Sequence, residues 1–397
     1  MVQYIGTAAT SRRRRRLSPV GSAHEGTLLG RLDWVLLLTS AALVGYGLWA
    51  IAGITKHTVL DDPSYYLTRQ VVFAVIGAVV IAAAIAIDPD WYRRRKGSLY
   101  AVMLGLMTLV FLVGTVSRGS TRWIDLSIFR FQPSEFGRLL LILFLAALLA
   151  DRAEQMDDLR TPLLAVALAL PPIALVFAEP DLGSALVYIA ALAGCLFIGG
   201  IRWSHVVLLG GVAAVAIVSV LWLLPAGGIH VLQDYQVKRL TSFTSPDSDP
   251  SGTTYNQHQS KIAVGAGGMT GRGPSGSTQT NLDYIPEHET DFAFASFAEQ
   301  RGFLGVSVLL LLYLLVIWRG LKIVTIARDG FSAIIAGGIV FSFLFQVFVN
   351  VGMTIGLAPV TGITLPFVSV GGSSMVASLA AIGVLQSIHA RGGLRRG

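Results

Sequence analysis

The residues best suited to chemistry sit at a seam. In "IPEHETDFAFASFAEQRGFLG", residues 285 to 305, a polar stretch carrying Glu287, His288, Glu289 and Asp291 runs into apolar sequence where a charge is costly. Asp291 follows Thr290 at the point where a helix would leave the polar stretch. The positive end of that helix favours the carboxylate, while partial removal from water opposes ionisation. Opposed effects of that kind suit a general base at neutral pH; an ordinary acidic residue in a first helical turn is the plainer alternative. Glu299 follows eight residues later, about 12 Å along a helix axis, too far for the carboxylate pair of a retaining glycosidase, which stands about 5 Å apart. A single base serving a direct displacement is the simpler chemistry. No Ser-His-Asp set and no His/Cys cluster stands out, which leaves carboxylates as the ligands for any hard cation.

Three further polar blocks interrupt apolar sequence. "RWIDLSIFRFQPSEFGR", residues 122 to 138, places Pro133 and Glu135 in what reads as the first turn of a helix, with Arg122, Trp123 and Arg138 around them. "EPDLGSA", residues 179 to 185, is a tight connection in which Asp181 would cap the next helix. "PVTGITLPFVSVGGSS", residues 359 to 374, has prolines and glycines where hydropathy would continue a span. The amides there, with the Ser373 and Ser374 hydroxyls, could hold a phosphate, or the small residues could simply let helices pack closely.

The elements that must position these blocks are membrane helices. The chain is 53% hydrophobic and 13% charged over 397 residues, which excludes a water-soluble domain. Ten apolar windows are long enough to cross a bilayer, at 32 to 53, 70 to 87, 98 to 116, 134 to 150, 162 to 178, 182 to 199, 204 to 224, 292 to 318, 331 to 356 and 367 to 389. These runs are continuous rather than alternating, so the expected fold is all-α and polytopic, not a barrel. Pro171 and Pro172 fall inside the fifth window and predict a kink.

Basic residues set the orientation. Arg12 to Arg16, Arg93 to Lys96 and Arg391 to Arg396 all flank the side that carries both termini, predicting cytoplasmic termini. The expected organisation is a disordered Arg-rich tail at 1 to 31, a membrane domain at 32 to 390 and a short cytoplasmic tail at 391 to 397. A large external loop, 225 to 291, joins the seventh and eighth spans, and its "IAVGAGG" section could dip into the membrane if shielded. All four polar blocks then face outward around one cavity. Arg122, Arg138, Lys238, Arg239, Lys261 and Arg272 would serve anions there; Glu135, Asp181, Glu287 and Asp291 would serve as bases or cation ligands. The net charge of +7 does not indicate nucleic acid, because the arginines crowd membrane flanks with no reading motif; contact with anionic membrane lipids fits better. Cys195 is alone and permits no intramolecular disulfide.

From residue 32 to 390 the chain resembles the SEDS family (shape, elongation, division and sporulation), which includes the RodA and FtsW branches. The likeness rests on "RWIDL" with "QPSEFGR", "PDLGSAL", "YQVKRLTSF" with "YNQHQSKIAVGAGGMTGRG", "IPEHETDFAFA" and "GITLPFVSVGGSS", in that order. "GSTQTNLDYIPE", residues 276 to 287, is more similar to the elongation branch than to the division branch.

The resemblance implies a ten-span peptidoglycan glycosyltransferase of the bacterial cytoplasmic membrane acting on lipid II, a disaccharide-peptide on undecaprenyl diphosphate. It implies Asp291 as the base, Arg122 and Trp123 shaping the sugar site, and Arg138, Lys238 and Arg239 on the leaving diphosphate. A divalent cation, Mg²⁺ or Mn²⁺, is the one cofactor it admits, and the implied partner is a single-span class B penicillin-binding protein with transpeptidase activity. Four positions depart from the family pattern: Glu289 where histidine is usual, Gln300 where a second acid is common, Val370 for tyrosine, and Arg138 for a common lysine. The alternatives are a flippase or carrier of the same lipid-linked precursor, a division paralogue, or a membrane scaffold for cell-wall enzymes.

Overall fold

A computed structural model of the chain describes residues 28–56, 58, 62–117, 120–125, 130–228 and 253–392. The expected tails, and the part of the expected loop at 229–252 that contains Lys238 and Arg239, lie outside the described residues. The chain begins with α1 (Trp34–Ile54), α2 (Tyr65–Ala86), the short α3 (Pro89–Arg94) and α4 (Lys96–Val113). Next come three short strands, β1 (Thr115–Ser117), β2 (Ser120–Asp125) and β3 (Arg130–Phe131), paired antiparallel in that order. Then follow α5 (Pro133–Ala150), α6 (Arg160–Ala178), α7 (Leu182–Ile198) and α8 (Trp203–Ala226). The last set is α9 (Thr253–Ala266), the single turns α10 (Gly273–Gly276) and α11 (Thr278–Asn281), then α12 (Ala293–Ile326), α13 (Gly330–Ile355) and α14 (Gly372–Gly392).

Among the described residues nine helices are long and apolar enough to cross a membrane; α7, the remaining expected span, is apolar and 17 residues long. The protein is therefore an all-α polytopic membrane protein with one small sheet added. That sheet falls in the first polar block, where β2 carries Arg122 and Trp123.

Local chemistry fixes where the helices start. Pro133, which has no amide hydrogen to lose, opens α5, and both Pro171 and Pro172 lie inside α6. The side chains of Asp33, Asp181 and Asp329 accept hydrogen bonds from Leu36, Ser184 and Ser332 amides, capping α1, α7 and α13. Nearly all of α14 and most of α5 and α13 are buried within the bundle, whereas none of the α8 span is. The α14 helix lies against α2, and α13 against α7 and α12.

The two ends of the bundle differ. At one end the Asp33 amide donates to Gln386 Oε1 and Gln386 Nε2 donates back to the Asp33 carbonyl, each at 2.9 Å. Arg319 pairs with the Asp33 carboxylate at 2.6 Å. The start of α1 is thus tied to the end of α14. The other end of α14, a helix of 21 residues and so about 30 Å away, is where the polar blocks meet.

The 292 to 318 window proves to be an interrupted helix. Gly302 in α12 has φ +63° and ψ −167°, which breaks the helical ladder, and the helix runs on to Ile326. The glycine-rich segment after α9 fills the break: Phe303 N donates to Gly268 O at 2.8 Å and Leu304 N to Met269 O at 3.1 Å. This is possible only at zero side-chain volume, since a Cβ on Gly302 would stand 2.3 Å from Gly271 N and one on Gly267 2.1 Å from Ala298 O. The described part of the expected loop is docked, with Gln257 Nε2 donating to the Met353 and Ala358 carbonyls and Ser260 Oγ to Thr354 O.

Candidate active site

At the end of the bundle away from the Asp33 and Gln386 tie lies a cavity of about 680 Å³. Its wall draws on α2, β2, β3, α5, α7, the turn before α12, α13, the start of α14 and the segment between those two helices. Arg122, Trp123, Glu135, Arg138, Glu287, Asp291, Ser373 and Ser374 all line it, so widely separated blocks converge on one space. Lys261 does not: it is an exposed residue of α9 whose stem packs on Gly356. The helix as a whole explains this: α9 packs against α12 and α13, and none of its residues lines the cavity. Arg272 is likewise outside the cavity wall, its Nε donating to Ala266 O at 3.0 Å.

Asp291 is part-buried and sits two residues before α12, in the turn rather than in the first helical turn. Its backbone is held from two sides. Asn350 in α13 donates from Nδ2 to the Asp291 carbonyl at 2.9 Å and to the Ile363 carbonyl at 2.7 Å. Ser369 Oγ donates to Thr290 O at 2.6 Å, and Val370 N to Glu289 O at 2.9 Å. Phe292 N closes the turn on Glu287 O at 3.2 Å. Glu287 adopts φ +58°, a conformation costly for a residue with a Cβ, and its carboxylate accepts from Thr290 Oγ1 at 3.1 Å. His288 is buried behind this wall, with Nε2 3.2 Å from Thr58 Oγ1 and Nδ1 3.6 Å from the Glu289 carboxylate.

Basic residues share the cavity wall. Arg69, Arg122, Arg130 and Arg138 all line the cavity. Arg69 lies 4.4 Å above the Tyr65 ring. Arg122 is 3.5 Å from the Asp181 carboxylate, which also accepts from Gln132 Nε2 at 3.2 Å while capping α7. Asp181 therefore caps α7 as expected and also lines the cavity. Arg138 and Glu135, one helical turn apart, form a buried pair at 3.6 Å. Ser373 is committed to structure: it accepts from Gln132 N at 2.9 Å and donates to Arg130 O at 3.3 Å, tying β3 to α14. The Gly371 amide donates to Gln70 Oε1 at 3.3 Å, so this backbone is partly used before any phosphate arrives.

Just outside the cavity, Glu179 is fully buried in the α6 to α7 connection and neither carboxylate oxygen meets a partner. Burial first, and then the nearby Asp181 carboxylate, push its pKa up to about 8 against a weaker pull from Arg122. Glu299 proves structural: its carboxylate accepts the Gln279 and Thr280 amides and the Thr280 hydroxyl. Among the described residues no group of three or more His, Cys, Asp or Glu is arranged to hold a metal.

Sequence reasoning missed Asn350, Gln346, Tyr188, Tyr65 and Arg69 as parts of this site. A polar side chain inside an otherwise apolar window was the only signal for Asn350 and Gln346.

A family model described as cell cycle protein, covering FtsW, RodA and SpoVE, matches residues 32–392. The chain is 36% identical to the peptidoglycan glycosyltransferase MrdB of Escherichia coli (strain K12), over 90% of this chain and 93% of that one. It is 35% identical to the stage V sporulation protein E of Bacillus subtilis (strain 168), over 89% and 94%. Among solved structures, a chain of a peptidoglycan synthase complex that coordinates polymerization and crosslinking superposes with TM-score 0.77 at 30% identity, covering 91% of this chain and 99% of that one. The rod shape determining protein RodA of Thermus thermophilus gives TM-score 0.65 at 29% identity, over 90% and 96%. The chain belongs to the FtsW, RodA and SpoVE family of cell cycle proteins.

Proposed function

We propose that the protein is an inverting peptidoglycan glycosyltransferase of the elongation type, polymerising lipid II into β-1,4 glycan strands. The observation that carries this is one cavity lined both by a carboxylate on a clamped turn, Asp291, and by four arginines. The Asp291 carboxylate takes the proton from the 4-hydroxyl of the acceptor GlcNAc. That oxygen attacks the anomeric carbon of the donor MurNAc, the bond from that carbon to the diphosphate breaks, and undecaprenyl diphosphate leaves with the electron pair. Negative charge grows on the diphosphate, and Arg122 and Arg138, with Arg69 and Arg130, which line the same cavity, receive it. Lys238 and Arg239 stay in the proposal as further contacts to it. Trp123 supplies a flat face for sugar binding.

Mg²⁺ or Mn²⁺ would be held by one or two carboxylates together with substrate phosphates and water, the manner small hard cations favour. Glu287, Glu289 and Asp291 stand on the wall where that would occur. The cation would neutralise diphosphate charge. Basic flanks on the terminal side support both termini in the cytoplasm and the cavity outside a bacterial cytoplasmic membrane. The partner is a single-span class B penicillin-binding protein, which crosslinks the strands made here.

Purified protein supplied with lipid II should produce muramidase-sensitive polymer. Movement of lipid II across proteoliposomes without polymer would instead make the protein a carrier.

A further inference from the structure

Arg301 is unused by the site above. It belongs to α12, eight residues beyond Ala293, so its Cα lies about 12 Å inside the helix on the cavity side. Its guanidinium stands 3.5 Å from the centroid of the Trp49 ring of α1. Trp49 packs edge-on to Phe297 and beside Tyr46, whose hydroxyl donates to Gly305 O at 3.0 Å. Aromatic groups thus fix the guanidinium plane from within.

Among the described residues no ion pair with Arg301 is found, and its Nε is buried without an acceptor. Trp49, Met269, Phe303 and Leu304 are all exposed, so the surface on this side of the bundle is apolar and lipid-facing. A permanent cation at that depth is costly without a counter-anion, and the Cα to Cβ direction in a helix carries the side chain back toward the cavity-side headgroups. A lipid headgroup phosphate supplies such an anion from the same side.

We propose that Arg301, stacked on Trp49, holds the phosphate of a phospholipid in the leaflet on the cavity side, with Phe303 and Leu304 against its acyl chains. The planar fork of arginine suits two phosphate oxygens at once.

The test titrates delipidated protein in neutral detergent with phosphatidylglycerol and counts retained lipids by native mass spectrometry. Wild type should retain one lipid that Arg301→Leu holds about fivefold or more weakly, the scale of one basic residue at an anionic surface. Trp49→Leu should weaken it too. Arg301→Lys, which keeps the charge and loses the fork, should fall between, and its weaker retention decides the matter if Arg301→Leu cannot be purified. Equal retention by wild type and the Arg301 variants overturns the proposal. So does equal retention of diacylglycerol, which lacks a phosphate, or displacement by millimolar inorganic phosphate, which would make this an ion site rather than a lipid site.

Discussion

Asn350 fastens Asp291 to the segment between α13 and α14: one amide nitrogen bonds the Asp291 carbonyl at 2.9 Å and the Ile363 carbonyl at 2.7 Å. A base for a sugar hydroxyl must be placed to a fraction of an ångström, and a backbone turn cannot provide that alone. Removing the amide leaves two carbonyls without their donor. Asn350→Ala should lower polymerisation by about 100-fold, as expected for a base displaced by roughly an ångström, and lower stability by about 2 kcal/mol. Initial rates and thermal unfolding of the same preparation check both numbers.

Arg122 and Asp181 form a second linked pair at 3.5 Å, with Asp181 also capping α7. Arg122→Gln should reduce the rate by about 10²-fold or more, because it removes a donor aimed where diphosphate charge grows. Asp181→Asn keeps a capping oxygen and should cost about 1 kcal/mol or less in helix stability, while changing activity through the loss of the Arg122 partner. Rates alongside melting temperatures separate the two roles.

Much of this site was legible because its residues come in long polar blocks that interrupt apolar sequence. Asp291, Glu135, Arg138, Arg122 and Trp123 were all found that way and all line the cavity. Lys261 lies outside the cavity wall because its whole helix packs against α12 and α13, and a basic residue in a polar block does not tell where its helix will dock. Asn350, Gln346 and Tyr188 stand singly in apolar windows, and their importance appears only when folding brings α7 and α13 beside the turn at Asp291. The break at Gly302 was hidden for a related reason: hydropathy runs straight through it, and only the approach of the 267 to 271 segment requires it. The Ser373 hydroxyl lines the cavity and also joins β3 to α14, a structural role its sequence block did not show.

Gly302→Ala should therefore be among the most damaging small substitutions in the chain. The added methyl meets Gly271 N at 2.3 Å, and φ +63° is unfavourable for alanine. A loss of about 3 kcal/mol or more is expected, read as reduced abundance and a lower melting temperature. Gly265→Ala, with nothing within 4 Å, is the matched control and should be near neutral.

Glu179 gives the protein a pH dependence of known sign. Its folded pKa is raised from 4.5 to about 8, so between those values the folded state holds a proton that the unfolded state has released. Stability from this group is complete below about pH 4.5 and falls as pH rises toward 8, by up to about 1.4 kcal/mol per unit. Glu179→Gln should flatten melting temperature across that window. An unchanged slope in the variant would show that other groups set it.

The central claim, that the Asp291 carboxylate removes the acceptor proton, is tested most directly by the polymerisation rate of Asp291→Asn on purified lipid II, in protein matched to wild type for abundance and melting temperature. Asparagine keeps the shape and the Asn350 bond to the main chain and removes only the basic oxygen. The account predicts a loss of about 10²-fold or more, with lipid II binding retained. Polymer at the wild-type rate would contradict it.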